Sequence, residues 1–262
     1  MNTEHPLHDR RAIRADISNN PLNTNPVTNI PRGNIPNTPL ASSAIAFLLG
    51  SLFTFGIYSS ILDLIGGSSI PFVTYQLGLF FASWAFFHWA EFAVTAGWNF
   101  EKCSVDSYLL DNGAMYHVSN ATAVLEFLVS YYFVPSSKSW SYISQIGIVL
   151  ILVGQILRST AMLHASTNFS HTVAFEKRES HRLVTDGVYS WFRHPSYAGF
   201  FYWALGTQLL LQNPFTFLVF VIVLWRFFYY RTRAEERALI KFFGNEYVEY
   251  RRRVGTKIPF IP

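Results

Sequence analysis

The sequence predicts an all-α integral membrane protein of about six transmembrane helices. Half of its 262 residues are hydrophobic and only 14% are charged, with 25 phenylalanines, a balance far from that of soluble domains. Apolar runs of membrane-crossing length alternate with short Gly-, Pro- and Ser-containing turns. Lys and Arg gather beside alternate ends of these runs, as the positive-inside rule requires.

Residues 1 to 40 are rich in Asn, Pro, Ser and Thr and carry Arg10, Arg11, Arg14 and Arg32, with no apolar periodicity. That composition reads as a disordered cytosolic tail. No apolar h-region follows the early charges until residue 41, so the tail is not a secretory signal. The first span is expected from about Ala44 to Ile65, and the second from Pro71 to about Gly97. A polar loop from Trp98 to Tyr116 precedes a weaker third segment, His117 to Val134, diluted by Asn120, Thr122 and Glu126. The Pro135-Ser136-Ser137-Lys138 turn leads to a fourth span from Trp140 to Ala165. Residues 166 to 194 are too polar to cross a bilayer.

The runs Pro195 to Leu211 and Pro214 to Tyr230 are separated only by Gln212-Asn213, which demands a tight antiparallel hairpin. Beyond it, the segment carrying Leu239, Ile240, Phe242 and Phe243 reads as a helical continuation ending near Gly244, followed by a basic stretch. The chain thus divides into a tail (1–40), helices one to four (41–166), and a C-terminal region of connector, hairpin and final helix (167–262). Lys102, Lys177, Arg178, Arg182, Arg193 and the C-terminal basic residues fall on the side of the tail, and Lys138 on the other. Both termini are therefore expected to face the cytosol. The sequons at Asn120 and Asn168 then carry no glycan.

Composition also bounds function. Cys103 is the single cysteine, which excludes an internal disulfide and a cysteine-rich metal site. The net charge of +4 comes from residues flanking apolar spans, which argues for topology and against nucleic acid. Glu91, Glu126 and Arg158 lie inside predicted spans, where an uncompensated charge costs roughly 3 kcal/mol, so they are expected to pair. His88 and Glu91 share a helix face but lack further ligands, so no metal is expected.

The most informative stretch is Arg193-His194-Pro195-Ser196-Tyr197, which sets polar and ring side chains against the start of an apolar run. Pro195 suits the first turn of a helix and pushes His194 out of helical geometry. By themselves these residues read equally as interfacial anchors or as a site that handles an amphiphile. Arg231 and Glu235 lie one turn apart, and Glu236 and Arg237 are expected to face solvent.

The run HRLVTDGVYSWFRHPSYAGFFYW from His181, together with VLWRFFYYRTRAEERALIKFFGNEYVEYRRR from Val223, resembles the isoprenylcysteine carboxyl methyltransferases. The likeness is densest from Asn168 to Pro262 and extends more loosely to the segments around Glu91, Glu126 and Arg158. It implies an endoplasmic-reticulum membrane enzyme that methylates the C-terminal carboxylate of farnesyl- or geranylgeranylcysteine proteins with S-adenosylmethionine, at a cytosol-facing cofactor site formed by the C-terminal half. Carried onto this chain, it implies that His181, Arg182, Leu183, Val184, Tyr189, His194, Pro195, Ser196, Tyr197 and Glu235 bind the cofactor. Arg231 would hold the substrate carboxylate, with Arg231 and Glu235 as the catalytic pair and no metal. Arg182 and Ala174 depart from the small polar residue and Gln of animal members, which removes one cofactor contact at Ala174. Two other classes share an RHPxY-like segment: phospholipid N-methyltransferases, which need no carboxylate clamp, and NADPH-dependent sterol reductases, for which this chain has no Gly-rich phosphate loop. The hairpin aromatics Phe200, Phe201, Tyr202, Trp203, Trp225, Phe227 and Phe228 are candidates to line a lipid access route.

Overall fold

The computed structural model describes residues 33–66, 73–173, 177 and 181–262, so most of the expected tail and Ala174 lie outside the described residues. Among the described residues the chain is helical: α1 (Pro39–Leu64), α2 (Tyr75–Trp98), α3 (Ala114–Phe133), α4 (Ser141–Ala165), α5 (Pro195–Leu211), α6 (Pro214–Phe243) and α7 (Asn245–Arg253). Six of these occupy the six segments anticipated from the apolar runs. Four, α1, α2, α4 and α6, are long and apolar enough to cross a membrane. The 17-residue α5 is short, and α3 is diluted by its polar side chains.

Local chemistry sets the ends. The side chains of Thr38 and Thr74 accept from Ala41 N and Leu77 N at the starts of α1 and α2, and Pro39, Pro195 and Pro214 occupy first-turn positions that need no N–H. Helix α6 runs unbroken for 30 residues, about 45 Å, which exceeds a ~30 Å hydrocarbon core and carries its last turns out of it. It stops at Gly244, whose φ of +57° favours glycine.

Small residues bring the helices together. Gly147 and Gly154 of α4 face Gly206 and Gly199 of α5 so closely that a Cβ on Gly154 would lie 2.6 Å from both Gly199 O and Trp203 N. Gly56 and Gly78 do the same for α1 and α2. Close backbone approach through glycine is how helices associate where lipid offers no hydrophobic drive. The outer faces, with Phe47, Leu48, Phe55 and Ile156, stay exposed, as suits lipid contact.

Polar residues tie the bundle at both ends of the α4–α5 pair. At one end Lys138 Nζ donates to Leu211 O (3.1 Å), Gln212 O (2.9 Å) and Asn213 Oδ1 (2.9 Å), capping the carbonyl end of α5. Glu126 accepts from Phe215 N and Thr216 N at the start of α6. Glu91, Glu126 and Arg158 therefore do not form one group: Glu126 satisfies a helix N-terminus, where orphan N–H groups and the helix dipole favour a carboxylate. At the other end Arg158 grips Glu91 through two bonds, 2.5 Å from Nε and 2.8 Å from Nη2, the pairing expected for those two.

Candidate functional site

Two clefts open side by side at the Arg158 end. The first, about 130 Å3, is lined by Arg182, Leu183, Val184, Tyr189, His194, Pro195, Ser196, Tyr197 and Glu235. These are the implied cofactor residues except His181, whose ring instead lies 6.3 Å from that of Phe242. The second, about 280 Å3 and more apolar, is lined by Phe200, Trp203, Phe220, Phe227 and Phe228 and, among its polar residues, by Arg158, His171 and Arg231. Phe201, Tyr202 and Trp225 do not line it. The two clefts share Phe169, Ser170, Ser196 and Tyr197 as a common wall.

Each functional side chain is placed by a local device. Residues 181–185 run without regular secondary structure, fixed where Arg182 N donates to Asn168 Oδ1 at 2.8 Å. Gly187, at φ +53°, turns the chain directly over the His164 ring, where a Cβ would meet Cε1 at 2.1 Å. The following 3-10 turn, Gly187–Ser190, swings Tyr189 into the first cleft. Its hydroxyl donates to Ala161 O, and its carbonyl accepts from the Tyr250 hydroxyl at 2.7 Å. Burial pushes both phenols up, so both remain neutral donors through the physiological range.

His194 caps α5 with non-helical φ and ψ (−129°, 68°), kept out of the helical region by the proline that follows. Its ring stacks on Tyr197, with planes 7° apart and centroids 5.3 Å apart. Tyr197 is the hinge of the site. Its hydroxyl donates to Glu235 Oε2 and accepts from Arg231 Nε at 2.9 Å, so it bridges two side chains one turn apart on α6. Arg231 Nη2 donates to the His171 carbonyl at 2.5 Å. With the Nε and Nη2 edge so engaged, the guanidinium keeps Nη1 and the second Nη2 proton for a ligand. Arg231 lines only the apolar cleft, and Glu235 only the other.

One solvent expectation is overturned. Glu236 is 4% exposed, not solvated: Arg193 Nε donates to it at 2.6 Å, His194 Nε2 lies 3.3 Å away, and Arg251 Nε approaches to 3.3 Å. Arg193, also buried, donates further to Val254 O and Pro262 O, so it fastens the C-terminal segment beneath the site instead of snorkelling to headgroups. Arg237 is exposed as expected. His171 was missed altogether. It lines the apolar cleft, its carbonyl holds Arg231, and its Nε2 lies 3.0 Å from Glu91 Oε2. The one signal that could have led to it was Glu91, expected inside a span, because a carboxylate there has acceptor capacity beyond what one arginine fills. Among the described residues no group of three His, Cys, Asp or Glu is placed to hold a metal ion.

The chain is thus an α-helical protein with membrane-crossing helices in which a more polar cleft and a more apolar cleft meet at one wall. Residues 146–241 match the family model described as the isoprenylcysteine carboxyl methyltransferase (ICMT) family. Protein-S-isoprenylcysteine O-methyltransferases of Xenopus laevis, Homo sapiens and Saccharomyces cerevisiae are 46%, 45% and 46% identical over 70%, 71% and 71% of this chain. The alignments span 64%, 66% and 80% of those relatives, so the chain covers just under two thirds of the first two. A solved structure of the eukaryotic intramembrane Ras methyltransferase ICMT superposes with a TM-score of 0.79 at 38% identity, covering 85% of this chain and 77% of that one. The chain belongs to the isoprenylcysteine carboxyl methyltransferase family.

Proposed function

We propose that this protein methylates the C-terminal carboxylate of farnesyl- or geranylgeranylcysteine proteins, using S-adenosylmethionine, at the cytosolic face of the endoplasmic reticulum membrane. In this reading all six long helices cross the bilayer, both termini are cytosolic, and residues 167–262 form the catalytic region, preceded by helices one to four (41–166) and a tail (1–40). The observation that carries it is the shared wall: Arg231 on the apolar side and Glu235 on the polar side both bind the Tyr197 hydroxyl.

The polar cleft fits S-adenosylmethionine by its donor set. It offers one carboxylate, Glu235, to a cationic ligand, several aromatic faces for stacking and cation–π contact, and the non-helical backbone of residues 182–184 for hydrogen bonds. When bound, that cofactor supplies a methyl group on a positively charged sulfur, which becomes a neutral thioether as a carboxylate oxygen takes the methyl.

The residues of the chain then have a positioning task. A C-terminal carboxyl group has a pKa of about 3.3 to 3.7, so the nucleophile is already ionised and no general base is required. His194, stacked on Tyr197 and flanked by Glu235 and Glu236, orders the cofactor side of the wall rather than moving a proton. Arg231 presents its free guanidinium edge to the carboxylate, a two-bond grip that an ammonium cannot reproduce. The aromatic lining accommodates the prenyl chain, which enters between helices from the lipid, each buried CH2 contributing roughly 0.8 kcal/mol. Exclusion of water by this lining favours a step in which opposite charges cancel, and alignment alone is worth on the order of 7 to 11 kcal/mol.

The test is methyl transfer from labelled S-adenosylmethionine by the purified protein, with N-acetyl-S-farnesylcysteine and phosphatidylethanolamine offered in parallel. Base-labile label on the farnesylcysteine is the expected result. Label on the lipid amine reassigns the protein to the phospholipid N-methyltransferases. No transfer together with NADPH oxidation by a sterol reassigns it to the reductases.

A further inference from the structure

The guanidinium of Arg231 is oriented by two acceptors, and one of them is the main-chain carbonyl of a non-helical residue, His171. A carbonyl on a connector is a precise acceptor only if the connector is itself held. Here it is held by the ring of the same residue: His171 Nε2 lies 3.0 Å from Oε2 of Glu91, a carboxylate with no solvent exposure. Glu91 in turn takes two bonds from Arg158, and Arg158 Nη1 donates to Ser196 Oγ (3.0 Å) and Ser196 O (3.2 Å). Glu91, Arg158 and Ser196 sit on α2, α4 and α5, three helices of the bundle, so the ring of His171 ties a loop carbonyl to rigid elements. Other bonds hold the connector upstream, where Lys102 and Asn99 donate to Phe169 O, two residues away from the carbonyl that matters.

Resting on the reading of Arg231 as the carboxylate clamp, we infer that His171 is a positioning residue for the acceptor: through its ring contact with Glu91 it fixes the carbonyl that aims Arg231 into the apolar cleft. It does not touch the polar cleft, whose lining omits it, so its influence falls on the acceptor and not on the cofactor. This gives the buried Glu91–Arg158 pair a use beyond helix packing. The pair provides a fixed, desolvated anchor for a loop that a buried apolar pair could not hold.

The experiment measures three variants, His171→Ala, His171→Gln and Arg231→Lys, and the double variant His171→Ala/Arg231→Lys. Each is read by KM and kcat for N-acetyl-S-farnesylcysteine, by direct binding of that compound, and by binding of S-adenosylmethionine. His171→Ala is expected to raise the KM and dissociation constant of the acceptor roughly tenfold while kcat and cofactor affinity stay within about twofold, the pattern of a lost binding orientation. His171→Gln, which keeps an N–H donor for Glu91, is expected to recover most of the loss. In the double variant the His171 effect should shrink to less than about twofold, because its route through Arg231 is already broken. Full additivity in the double variant, weakened cofactor binding in His171→Ala, or failure of Gln to rescue would overturn the positioning role. If Arg231→Lys leaves acceptor binding unchanged, the clamp reading itself falls, a failure visible separately from the others.

Discussion

The two ends of the α4–α5 pair carry buried polar clusters of similar size but opposite character. At the Lys138 end the charged groups meet backbone or amide partners of the bundle: the ammonium has three acceptors for its three protons, and Glu126 spans two N–H groups at the start of α6. None of Lys138, Glu126, Gln212 or Asn213 lines either cleft. At the Arg158 end the groups are also bonded, yet Arg231 keeps donors to spare, Glu235 is partly open, and both face cavities. A polar cluster closed on itself specifies how helices assemble, whereas one left open toward a cavity specifies what enters. Charge inside a membrane protein thus needs its neighbours' cavities inspected before it is given a role.

This contrast is sharpest at Arg231. Arg231→Lys should lower kcat/KM for the prenylcysteine by roughly 100-fold, about 3 kcal/mol, because two bonds to a carboxylate become one, while the loss of one of its bonds to Tyr197 and His171 costs only about 1 kcal/mol of stability. Steady-state methylation and thermal unfolding in detergent check both halves. At the closed end Lys138→Met should do the reverse. It strands the carbonyls of Leu211 and Gln212 and should cost about 2 to 3 kcal/mol of stability, with the methylation rate per folded molecule unchanged. A fall in the rate of folded Lys138→Met protein would erase the distinction between the two ends.

Tyr197→Phe tests the wall between the clefts. Removing the hydroxyl deprives both Arg231 and Glu235 of a partner, so acceptor and cofactor affinities should each weaken about fivefold, near 1 kcal/mol apiece. The smallest effect is expected at Arg237, an exposed side chain on the same helix, where Arg237→Gln should leave stability within about 0.5 kcal/mol and activity unaltered.

The sequence made the helices legible because a membrane leaves the backbone few alternatives: apolar length and Gly or Pro punctuation located all six long segments. It also made legible that Glu91, Glu126 and Arg158 each need compensation, since an isolated charge there is costly. What it concealed was partner choice across long separations. Glu126 needed compensation, and nothing local showed that the start of α6, some ninety residues on, would provide it. Glu236 was misjudged because one step along a helix turns a side chain by about 100°, away from the face of Glu235 and toward a C-terminal segment whose return beneath the site has no periodic signal. His171 sits in a connector without regular structure, where spacing arguments have no purchase. The run from His181 to Tyr197 was easier to place: Arg182, Leu183, Val184, Tyr189, His194, Pro195, Ser196 and Tyr197 line one cleft together with Glu235 of α6, while His181, at the edge of that run, does not.

The most direct test of two clefts meeting at one wall is a crossed binding measurement on two variants. S-adenosylmethionine and N-acetyl-S-farnesylcysteine are each titrated, by calorimetry in detergent, against Arg231→Lys and Glu235→Gln. A clean exchange is expected: Arg231→Lys loses acceptor affinity and retains the cofactor's, while Glu235→Gln weakens the cofactor by roughly tenfold and retains the acceptor. Parallel losses of both ligands in both variants would contradict it, and would mean that Arg231 and Glu235 serve a single shared site.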